Sequence, residues 1–257
     1  MNTTTRPNRI ALVTGGSRGI GRSNALSLAA HGVDIIITYL SSADEAATVV
    51  TQIEAMGRRA VALRLDIGAA NTFADFARDL RTTLQNTWQR SRFDYLVNNA
   101  GTGVYASLAD TSEQEFDLMI NIHLKGTFFL TQKMLPFIED GGRILNTSSG
   151  LTRFTSSGYA AYAAAKGGVE VLTRYMAAEL GSRNISVNTI APGATETDFG
   201  GGALRDDPGM NAQLASMTAL GRNGRPDDIG GVVVALLSEG ASWVNGQRIE
   251  ASGGLLL

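Results

Sequence analysis

The sequence has no cysteine among its 257 residues and only two histidines, His31 and His123. Disulfides and cysteine-metal sites are therefore excluded, and two histidines are too few for a histidine-rich zinc site, so we predict no metal. An excess of positive charge is missing as well, since the net charge is −2. Nucleic-acid-binding proteins are usually basic, and this balance argues against a nucleic-acid partner.

Long apolar runs are also absent. Runs such as VVVALL at 232–237 fall far short of the roughly 20 residues that a membrane helix needs. The first residues, MNTTTRPNR, are polar and lack the apolar core of a signal peptide. We therefore expect a soluble, cytoplasmic protein with no membrane partner.

What the sequence does contain is a regular alternation of short β-branched runs with longer helix-like stretches. Near-continuous apolar strands, each followed by a helix, predict a parallel sheet covered on both faces. No repeat or linker interrupts the pattern, so we predict one domain over residues 1–257. The expected strands are 9–14, 34–39, 60–65, 93–98, 142–147, 185–190 and 247–251, and the expected helices lie near 20–31, 43–56, 70–87, 112–134, 158–181 and 227–237.

A glycine-rich turn, TGGSRGIG at 14–21, follows the first predicted strand and begins the first predicted helix. Gly15, Gly19 and Gly21 are its spaced glycines, and glycine permits positive φ and close approach of the backbone to a phosphate. The helix N-terminus adds N–H donors and a positive dipole end. This strand–turn–helix context predicts a dinucleotide site.

The end of the second predicted strand carries no acidic residue. An NAD site usually has one there to hold the ribose 2′-hydroxyl, but this stretch reads TYLSS, with Tyr39, Ser41 and Ser42. Arg18 lies in the glycine loop. A cation and hydroxyls without a carboxylate suit a 2′-phosphate, so we predict NADP(H) rather than NAD(H).

Residues 159–166, YAAYAAAK, hold two tyrosines upstream of one lysine. Tyr162 precedes Lys166 by four residues and Tyr159 precedes it by seven, and both spacings can share a helix face. A nearby ammonium should pull the tyrosine pKa, ordinarily about 10, toward neutrality. Tyr162 is therefore the candidate proton donor. Ser149, at the end of the fifth predicted strand, is a candidate donor to the substrate oxygen, and Ser148 is its adjacent competitor.

Seven motifs, in this order and spacing, resemble the short-chain dehydrogenase/reductase family. The resemblance runs from about residue 8 to the C-terminus and is with the short, single-domain branch, similar to NADPH-dependent carbonyl reductases and 3-oxoacyl-carrier-protein reductases. It implies an α/β, doubly wound (Rossmann) parallel sheet of about seven strands, and hydride transfer between nicotinamide and a carbonyl or alcohol carbon. The motifs are TGGSRGIG, LDI (65–67), NNAG (98–101), Asn121 in MINIHLKG, Ser149 in NTSSG, YAAAK (162–166) and APGATET (191–197).

The resemblance also implies roles for particular residues. Asn121, Ser149, Tyr162 and Lys166 would form a catalytic tetrad, in which Lys166 also holds the ribose hydroxyls and Asn121 helps to hold a water. Neither histidine is predicted to be catalytic. The implied cofactor residues are Gly15, Ser17, Arg18, Gly19, Ile20, Gly21, Tyr39, Ser41, Ser42, Asp66, Ile67, Asn98, Ala100, Gly101, Tyr162, Lys166, Pro192, Gly193, Thr195 and Thr197.

The substrate region is expected in three loop segments, at 101–108, 151–159 and 194–217. The last of these is glycine-rich and, taken over about 194–218, looks like a mobile lid. No basic cluster is present to grip a phosphopantetheine arm, although Arg153 and Arg205 are candidates. We therefore favour reduction of a ketone or aldehyde, with broad tolerance of apolar small-molecule substrates. The expected apolar mouth consists of Leu151, Phe154, Tyr159, Phe199, Leu204, Met210 and Leu214.

Alternatives remain open at this point. The protein could be a 3-oxoacyl-carrier-protein reductase, an enoyl reductase that uses Tyr159, or a noncatalytic cofactor-binding protein. The resemblance further implies a homotetramer, paired through the helices near 112–134 and 158–181 and through the last strand with its apolar tail GGLLL. The stretch at 82–93 is longer than usual for the family, and no function is predicted for it.

Overall fold

Seven parallel strands form one sheet in the order β3-β2-β1-β4-β5-β6-β7 in the computed structural model, which describes residues 8–257. The strand order reverses between β1 and β4, as in a doubly wound sheet. The predicted fold class is confirmed. The strands are β1 Ile10–Val13, β2 Asp34–Tyr39, β3 Ala60–Arg64, β4 Phe93–Asn98, β5 Ile138–Thr147, β6 Ser186–Pro192 and β7 Arg248–Ala251.

Helices follow the strands and cover both faces of the sheet. None of the helices within residues 8–257 has the length and apolar character needed to span a bilayer. The α-helices are α1 Gly19–Ala30, α2 Ala43–Ala55, α3 Phe73–Trp88, α4 Glu113–Met119, α5 Gly126–Met134, α6 Ala160–Leu180, α7 Ala203–Asp206, α8 Pro208–Ser216 and α9 Pro226–Leu237.

Two apolar cores form because alternate residues of each strand point to opposite faces of the sheet. Ile10 and Leu12 of β1 join the core beneath α3, α5 and α6. Ala11 and Val13 join the core beneath α1, α2 and α9. Near-continuous apolar strands are therefore required, because both sides of each strand are buried.

The helix predicted over 112–134 is interrupted. Its start is fixed by a capping box, in which the Glu115 N–H donates to the Ser112 hydroxyl and the Glu115 carboxylate accepts from the Ser112 N–H. Between α4 and α5, residues Ile120–Lys125 form a π-helical segment. At its end, a Cβ on Gly126 would lie 2.4 Å from the Ile67 carbonyl oxygen, so glycine allows the helix to rest on the β3 loop. Such π segments often lie at functional sites.

The stretch at 82–93 extends α3 and joins it to the sheet. Trp88 donates from its indole nitrogen to the Asp34 carboxylate at 2.9 Å, and Asp34 is only 1% exposed. Arg90 then donates to Asp94 at 3.0 Å and to Glu139 at 2.9 Å. The stretch therefore stabilises the amino ends of β2, β4 and β5, away from the edge where the glycine loop lies.

Trp88→Phe should lower the free energy of unfolding by about 2 kcal/mol, because a buried carboxylate loses one hydrogen-bond donor while ring packing is kept. Urea unfolding followed by circular dichroism measures this. The matched control is Trp243→Phe, since the Trp243 side chain is 99% exposed and should tolerate the change. Equal effects of the two substitutions would contradict the role given to Trp88.

Candidate active site

The glycine loop and the NNAG segment are held together by Thr14, at the edge where the strand order reverses. The Thr14 hydroxyl accepts from the backbone N–H groups of Asn99 and Ala100, both at 2.9 Å. The Asn99 amide donates back to the Thr14 carbonyl at 3.0 Å. A Cβ on Gly15, which has a φ of +64°, would lie 2.9 Å from the Ala100 Cα. Sequence reasoning found Gly15 and Ala100 but missed Thr14 and Asn99, which stand inside the same two motifs.

The N-terminus of α1 faces this edge without a side-chain cap. Arg18 is the residue before the helix, and its side chain makes no capping hydrogen bond. Its exposed guanidinium also has no hydrogen bond or ion pair to any other described residue. A Cβ on Gly21 would lie 2.1 Å from the Gly15 carbonyl oxygen, so the loop closes tightly on itself. The helix end therefore presents N–H groups, a positive dipole end and one cation, as predicted for a phosphate site.

The ends of β2 and β3 lie beside each other at the same edge. Tyr39 ends β2 in register with Arg64, and Arg64 donates to the Leu40 carbonyl at 3.2 Å. Ser41 and Ser42 follow, and Ser42 makes no capping bond to α2. Arg64 is therefore a second cation near the end of β2, which sequence reasoning did not select.

The remaining cofactor candidates lie on loops that follow β3 and β6. Exposed Asp66 accepts from the Gly68 N–H at 2.9 Å, which leaves its other carboxylate oxygen available. After Pro192 ends β6, the Gly193 N–H donates to the Ala251 carbonyl at 3.1 Å, and the Thr195 hydroxyl donates to the Gly193 carbonyl at the same distance. Thr197 then lies over the glycine loop, since its Cβ would be 3.6 Å from a Cβ on Gly19.

Asn98 acts on the site from inside the core. Its amide donates to Thr131 at 3.0 Å and to Asn146 at 2.8 Å. Asn146 in turn donates to Thr173 of α6 at 2.9 Å. This buried polar chain joins β4, β5, α5 and α6 beneath the site and fixes their relative positions.

Ser149, Tyr162 and Lys166 meet at the carboxyl end of β5. The Ser149 side chain lies close enough to the Tyr162 phenol to lower its pKa. Lys166 lies with its Nζ 5.7 Å from the centroid of the Tyr162 ring and donates to the Thr147 carbonyl at 2.7 Å. Ser148 instead donates to Glu170 at 2.7 Å, away from the phenol. The geometry therefore favours Ser149 over Ser148.

The titration of this cluster differs from the sequence-based expectation. Burial raises the pKa of Tyr162 to about 12, although the Ser149 side chain opposes the rise. Burial also lowers the pKa of Lys166 to about 7. The expectation that Lys166 pulls the phenol toward neutrality is therefore wrong for the chain alone. The physical reason is that the lysine is itself desolvated, so near neutral pH it carries only part of its charge.

An aromatic cluster surrounds the phenol. The ring of Phe199 lies 5.5 Å from that of Tyr162, and the ring of Tyr159 lies 6.4 Å from it. Tyr105 meets Tyr159 edge-on at 5.4 Å. Tyr159 and Leu151 also line an adjoining cavity of about 330 Å³. Tyr105 belongs to a segment that was expected at the mouth, but it was not singled out from the sequence.

The other residues predicted at the mouth lie on neighbouring segments. Phe154 packs on Gly150 and beneath the Arg153 guanidinium, which is 5.4 Å from its ring centroid. Leu204 lies in α7, and Met210 and Leu214 lie in α8, a helix with no buried residue. Their part in the mouth stays a prediction.

The two arginines considered for a phosphopantetheine arm are already paired. Arg153 donates to Glu250 at 2.7 and 2.8 Å and also reaches the Leu255 and Leu256 carbonyls. Arg205 pairs with Asp198 and Asp206. Both guanidinium groups are therefore engaged within the chain.

Besides the predicted Asn121, the structure brings His123 to the phenol. Both lie in the π-helical segment, but the Asn121 side chain makes no hydrogen bond to another described residue. The His123 ring meets the Tyr162 ring edge-on, with centroids 5.0 Å apart, and is 1% exposed. Sequence reasoning set His123 aside, and nothing in the local pattern separates it from Asn121 two positions earlier.

The fold and this cluster define a class of enzyme: doubly wound α/β proteins with a nucleotide loop and a serine, tyrosine and lysine at the strand-order reversal. The family model described as enoyl-(acyl carrier protein) reductase matches residues 15–256. The chain belongs to the short-chain dehydrogenase/reductase family, as its motifs indicated.

Relatives within the family carry keto-reductase names. The tetrahydroxynaphthalene reductase PfmaG of Pestalotiopsis fici is 35% identical over 96% of this chain and 91% of that protein. The 3-oxoacyl-[acyl-carrier-protein] reductase FabG of Staphylococcus epidermidis is 37% identical over 97% of this chain and all of that protein. A solved structure of the angucycline C-6 ketoreductase LanV with bound NADP is 37% identical, covers 98% of each chain and has a TM-score of 0.92.

The lowered pKa of Lys166 gives a stability prediction. Between about pH 7 and its ordinary value of 10.5, the unfolded chain binds a proton at Lys166 that the folded chain does not, so the free energy of unfolding rises with pH. Lys166→Met removes this dependence. The variant's stability relative to the unaltered protein should therefore be highest at pH 7 or below and should decline by a few kcal/mol toward about pH 10.

Urea unfolding without added nucleotide, repeated across this pH range, measures the difference. The loss of the hydrogen bond to the Thr147 carbonyl shifts the whole comparison and leaves its slope unchanged. Lys125→Met, at an exposed position of the π-helical segment, is the control and should show a flat difference. A flat difference for Lys166→Met would mean that Lys166 is fully charged in the folded chain.

Proposed function

We propose that this chain is an NADPH-dependent oxidoreductase that reduces a ketone or aldehyde carbonyl to an alcohol, reversibly, with Tyr162 as the proton donor. The observation that carries the proposal is the meeting of Ser149, Tyr162 and Lys166 beside the glycine loop, at the strand-order reversal. Relatives named as ketoreductases, one of them solved with NADP, support it.

The residues at the nucleotide edge fit NADP(H). Gly15 and Gly19, with φ of +64° and +55°, allow close approach of a phosphate, and the uncapped start of α1 supplies N–H donors. Arg18 has no partner among the described residues, and no carboxylate ends β2, which suits a 2′-phosphate. Asp66 and Ile67 would hold the adenine, and Thr195 and Thr197 the nicotinamide end. When bound, the nicotinamide supplies the hydride.

The chain's own residues then handle the proton. Ser149 is in reach to donate to the carbonyl oxygen as negative charge develops on it. Tyr162, whose pKa is raised to about 12 by burial, keeps its proton at neutral pH and so has one to give in the direction of reduction. Lys166, where protonated, stabilises the phenolate that remains and can hold ribose hydroxyls.

The geometry favours carbonyl reduction over the alternatives. Ser149 acts on the pKa of Tyr162, and Lys166 lies over the Tyr162 ring, whereas an enoyl reductase of the alternative type would use Tyr159. The complete Ser–Tyr–Lys cluster argues against a noncatalytic protein. The engagement of Arg153 and Arg205 argues against a carrier-bound substrate, although the similarity to a 3-oxoacyl reductase keeps it as the second candidate.

The aromatic cluster supports a planar aromatic ketone as substrate. Tyr105, Tyr159 and Phe199 present ring faces and edges around the phenol, and aromatic pairs prefer such edge-to-face and offset geometries. Phe199 belongs to the lid, where Gly200, Gly201 and Gly202 all have positive φ. Because these glycines adopt left-handed backbone freely, the lid can carry Phe199 away from Tyr162 when substrate enters.

Tyr162→Phe should lower kcat by at least about 1,000-fold while NADPH binding stays within a few-fold, because only the phenol proton is lost. Turnover is measured on a panel of aromatic ketones, simple ketones, keto esters, acetoacetyl thioesters and a crotonyl thioester. Tyr159→Phe is the matched control and should keep kcat but change the preference among ketones.

Two outcomes on the panel would reverse the assignment. Reduction of the crotonyl thioester alone would make the protein an enoyl reductase, and acetoacetyl thioesters alone would make it a carrier-dependent reductase. Unchanged turnover in Tyr162→Phe would refute the mechanism.

Arg18→Ala should raise the Kd for NADPH by about 10- to 100-fold and leave the Kd for NADH nearly unchanged, because one charge-assisted contact to the 2′-phosphate is lost. Fluorescence titration of the reduced nucleotides measures both constants. Arg78→Ala is the control, since Arg78 is exposed on α3 and pairs with Asp75. Equal weakening of both nucleotides by Arg18→Ala would remove Arg18 from the 2′-phosphate site.

A single catalytic domain over residues 1–257, with a lid at about 194–218, forms part of this proposal; residues 1–7 lie outside the described residues. We further propose a homotetramer, because Phe128, Phe129 and Tyr175 are exposed on α5 and α6, and Leu256 and Leu257 are exposed at the C-terminus. Light scattering should give four times the monomer mass, and a monomer peak would exclude the assembly. The cytoplasm stays our prediction for its compartment, which cell fractionation tests.

A further inference from the structure

His123 is a buried polar ring beside the proton donor, and the mechanism above gives it no part. It is 1% exposed and lies edge-on against Tyr162, with ring centroids 5.0 Å apart. A polar group is costly to bury unless its hydrogen-bonding atoms are satisfied. A purely apolar residue would fill this space without that cost, so the imidazole nitrogens need an explanation.

The hydrogen bond to Thr102 fixes which nitrogen carries the proton. His123 Nε2 lies 2.7 Å from the Thr102 carbonyl oxygen, and a carbonyl oxygen only accepts. Nε2 is therefore the N–H donor, and Nδ1 carries the lone pair. Nδ1 is buried and has no hydrogen-bond partner among the described residues. The chain thus places one unsatisfied acceptor at its proton-donating site.

Gly101 of the NNAG segment holds this edge of the ring in place. A Cβ at position 101 would lie 2.7 Å from His123 Cε1 and 3.2 Å from Nδ1. Any side chain there would push the ring away from its position. The backbone of the nucleotide wall and the imidazole are therefore fitted to each other.

Lys166 is the charged group that acts on this ring. Burial, and then the Lys166 charge, lower the pKa of His123 to about 3, so the imidazole stays neutral and Nδ1 stays an acceptor. Lys166 donates one hydrogen bond, to the Thr147 carbonyl, and an ammonium has three N–H groups. Besides Lys166 and Tyr162 of α6, no titratable group of the described residues acts on the ring. Spare donors and an unsatisfied acceptor thus share the surroundings of the Tyr162 ring.

We propose that His123 is a positioning residue for the proton donor: its Nδ1 accepts a hydrogen bond from a buried water that also binds Lys166, and its ring edge holds Tyr162 in place. Buried acceptors that the chain leaves unsatisfied are commonly met by ordered water. The proposal rests on the proposed reduction, in which Lys166 must keep a proton as Tyr162 loses one.

Two substitutions separate positioning from packing. His123→Phe keeps a flat ring but has no acceptor, whereas His123→Asn keeps a side-chain acceptor and donor. We expect His123→Phe to lower kcat by about 10- to 100-fold, with the Kd for NADPH and the KM for the ketone within a few-fold, and His123→Asn to recover most of the loss. The alkaline limb of the kcat profile should move about one unit lower in His123→Phe only, because the lysine ammonium loses support. Equal losses in both variants with an unmoved limb, or no loss in His123→Phe, would overturn the proposal.

A spectroscopic measurement tests the same arrangement without turnover. The chain has two histidines, so His31→Gln leaves one imidazole for histidine-selective ¹⁵N NMR. We expect a neutral ring protonated at Nε2, a hydrogen-bonded Nδ1, and no titration between about pH 5 and 9. Lys166→Met should move the Nδ1 resonance toward that of a free acceptor. A proton on Nδ1, or an Nδ1 resonance unchanged by Lys166→Met, refutes the proposal. If no ketone is reduced by the unaltered protein, the proposed function fails, while this spectrum still decides the role of His123.

Discussion

The architecture of the site depends on the hydroxyl of Thr14, which accepts two backbone N–H groups from the NNAG segment. β1 and β4 are neighbours at the strand-order reversal, and the helices that follow them leave on opposite faces of the sheet. Without a shared acceptor the loops after the two strands would diverge. Because Thr14 joins them, Gly15 rests against Ala100, and the nucleotide edge keeps a fixed distance from Gly101 and the His123 ring. The nucleotide-binding edge and the edge that carries the proton donor therefore form one rigid unit.

Burial governs the chemistry within that unit. Removing water raises the pKa of Tyr162 and lowers that of Lys166, so both groups favour their neutral forms in the chain alone. The site is therefore set to donate a proton and does not store a phenolate. A polar chain from Asn98 through Asn146 to Thr173 lies beneath it and fixes α6, which carries both groups. The same buried core therefore determines both the pKa values of Tyr162 and Lys166 and the position of α6.

The segments that we propose to select the substrate are less buried than the proton-donating site. The lid has three successive glycines in left-handed backbone and a helix, α8, with no buried residue. Phe199 is the part of the lid that reaches Tyr162, while Arg205 is retained by Asp198 and Asp206. The entrance is therefore aromatic, and the paired Arg205 of the lid is not available to bind a substrate. A buried proton donor, Tyr162, beneath a lid that carries Phe199 is consistent with the proposed reduction of different planar ketones.

The sequence by itself determined the order of strands and helices, the glycine loop and the i,i+4 pair of Tyr162 and Lys166, because each rests on local periodicity or on contiguous residues. Other features were decided only by tertiary structure. The π-helical segment within 112–134 is seen only in the structure, and so is the position of the His123 ring between the Thr102 carbonyl and the Tyr162 ring. The pKa of the Tyr162 phenol is raised, not lowered as expected, for the same reason. Its desolvation depends on every element that covers the site, so no single stretch of sequence predicts it.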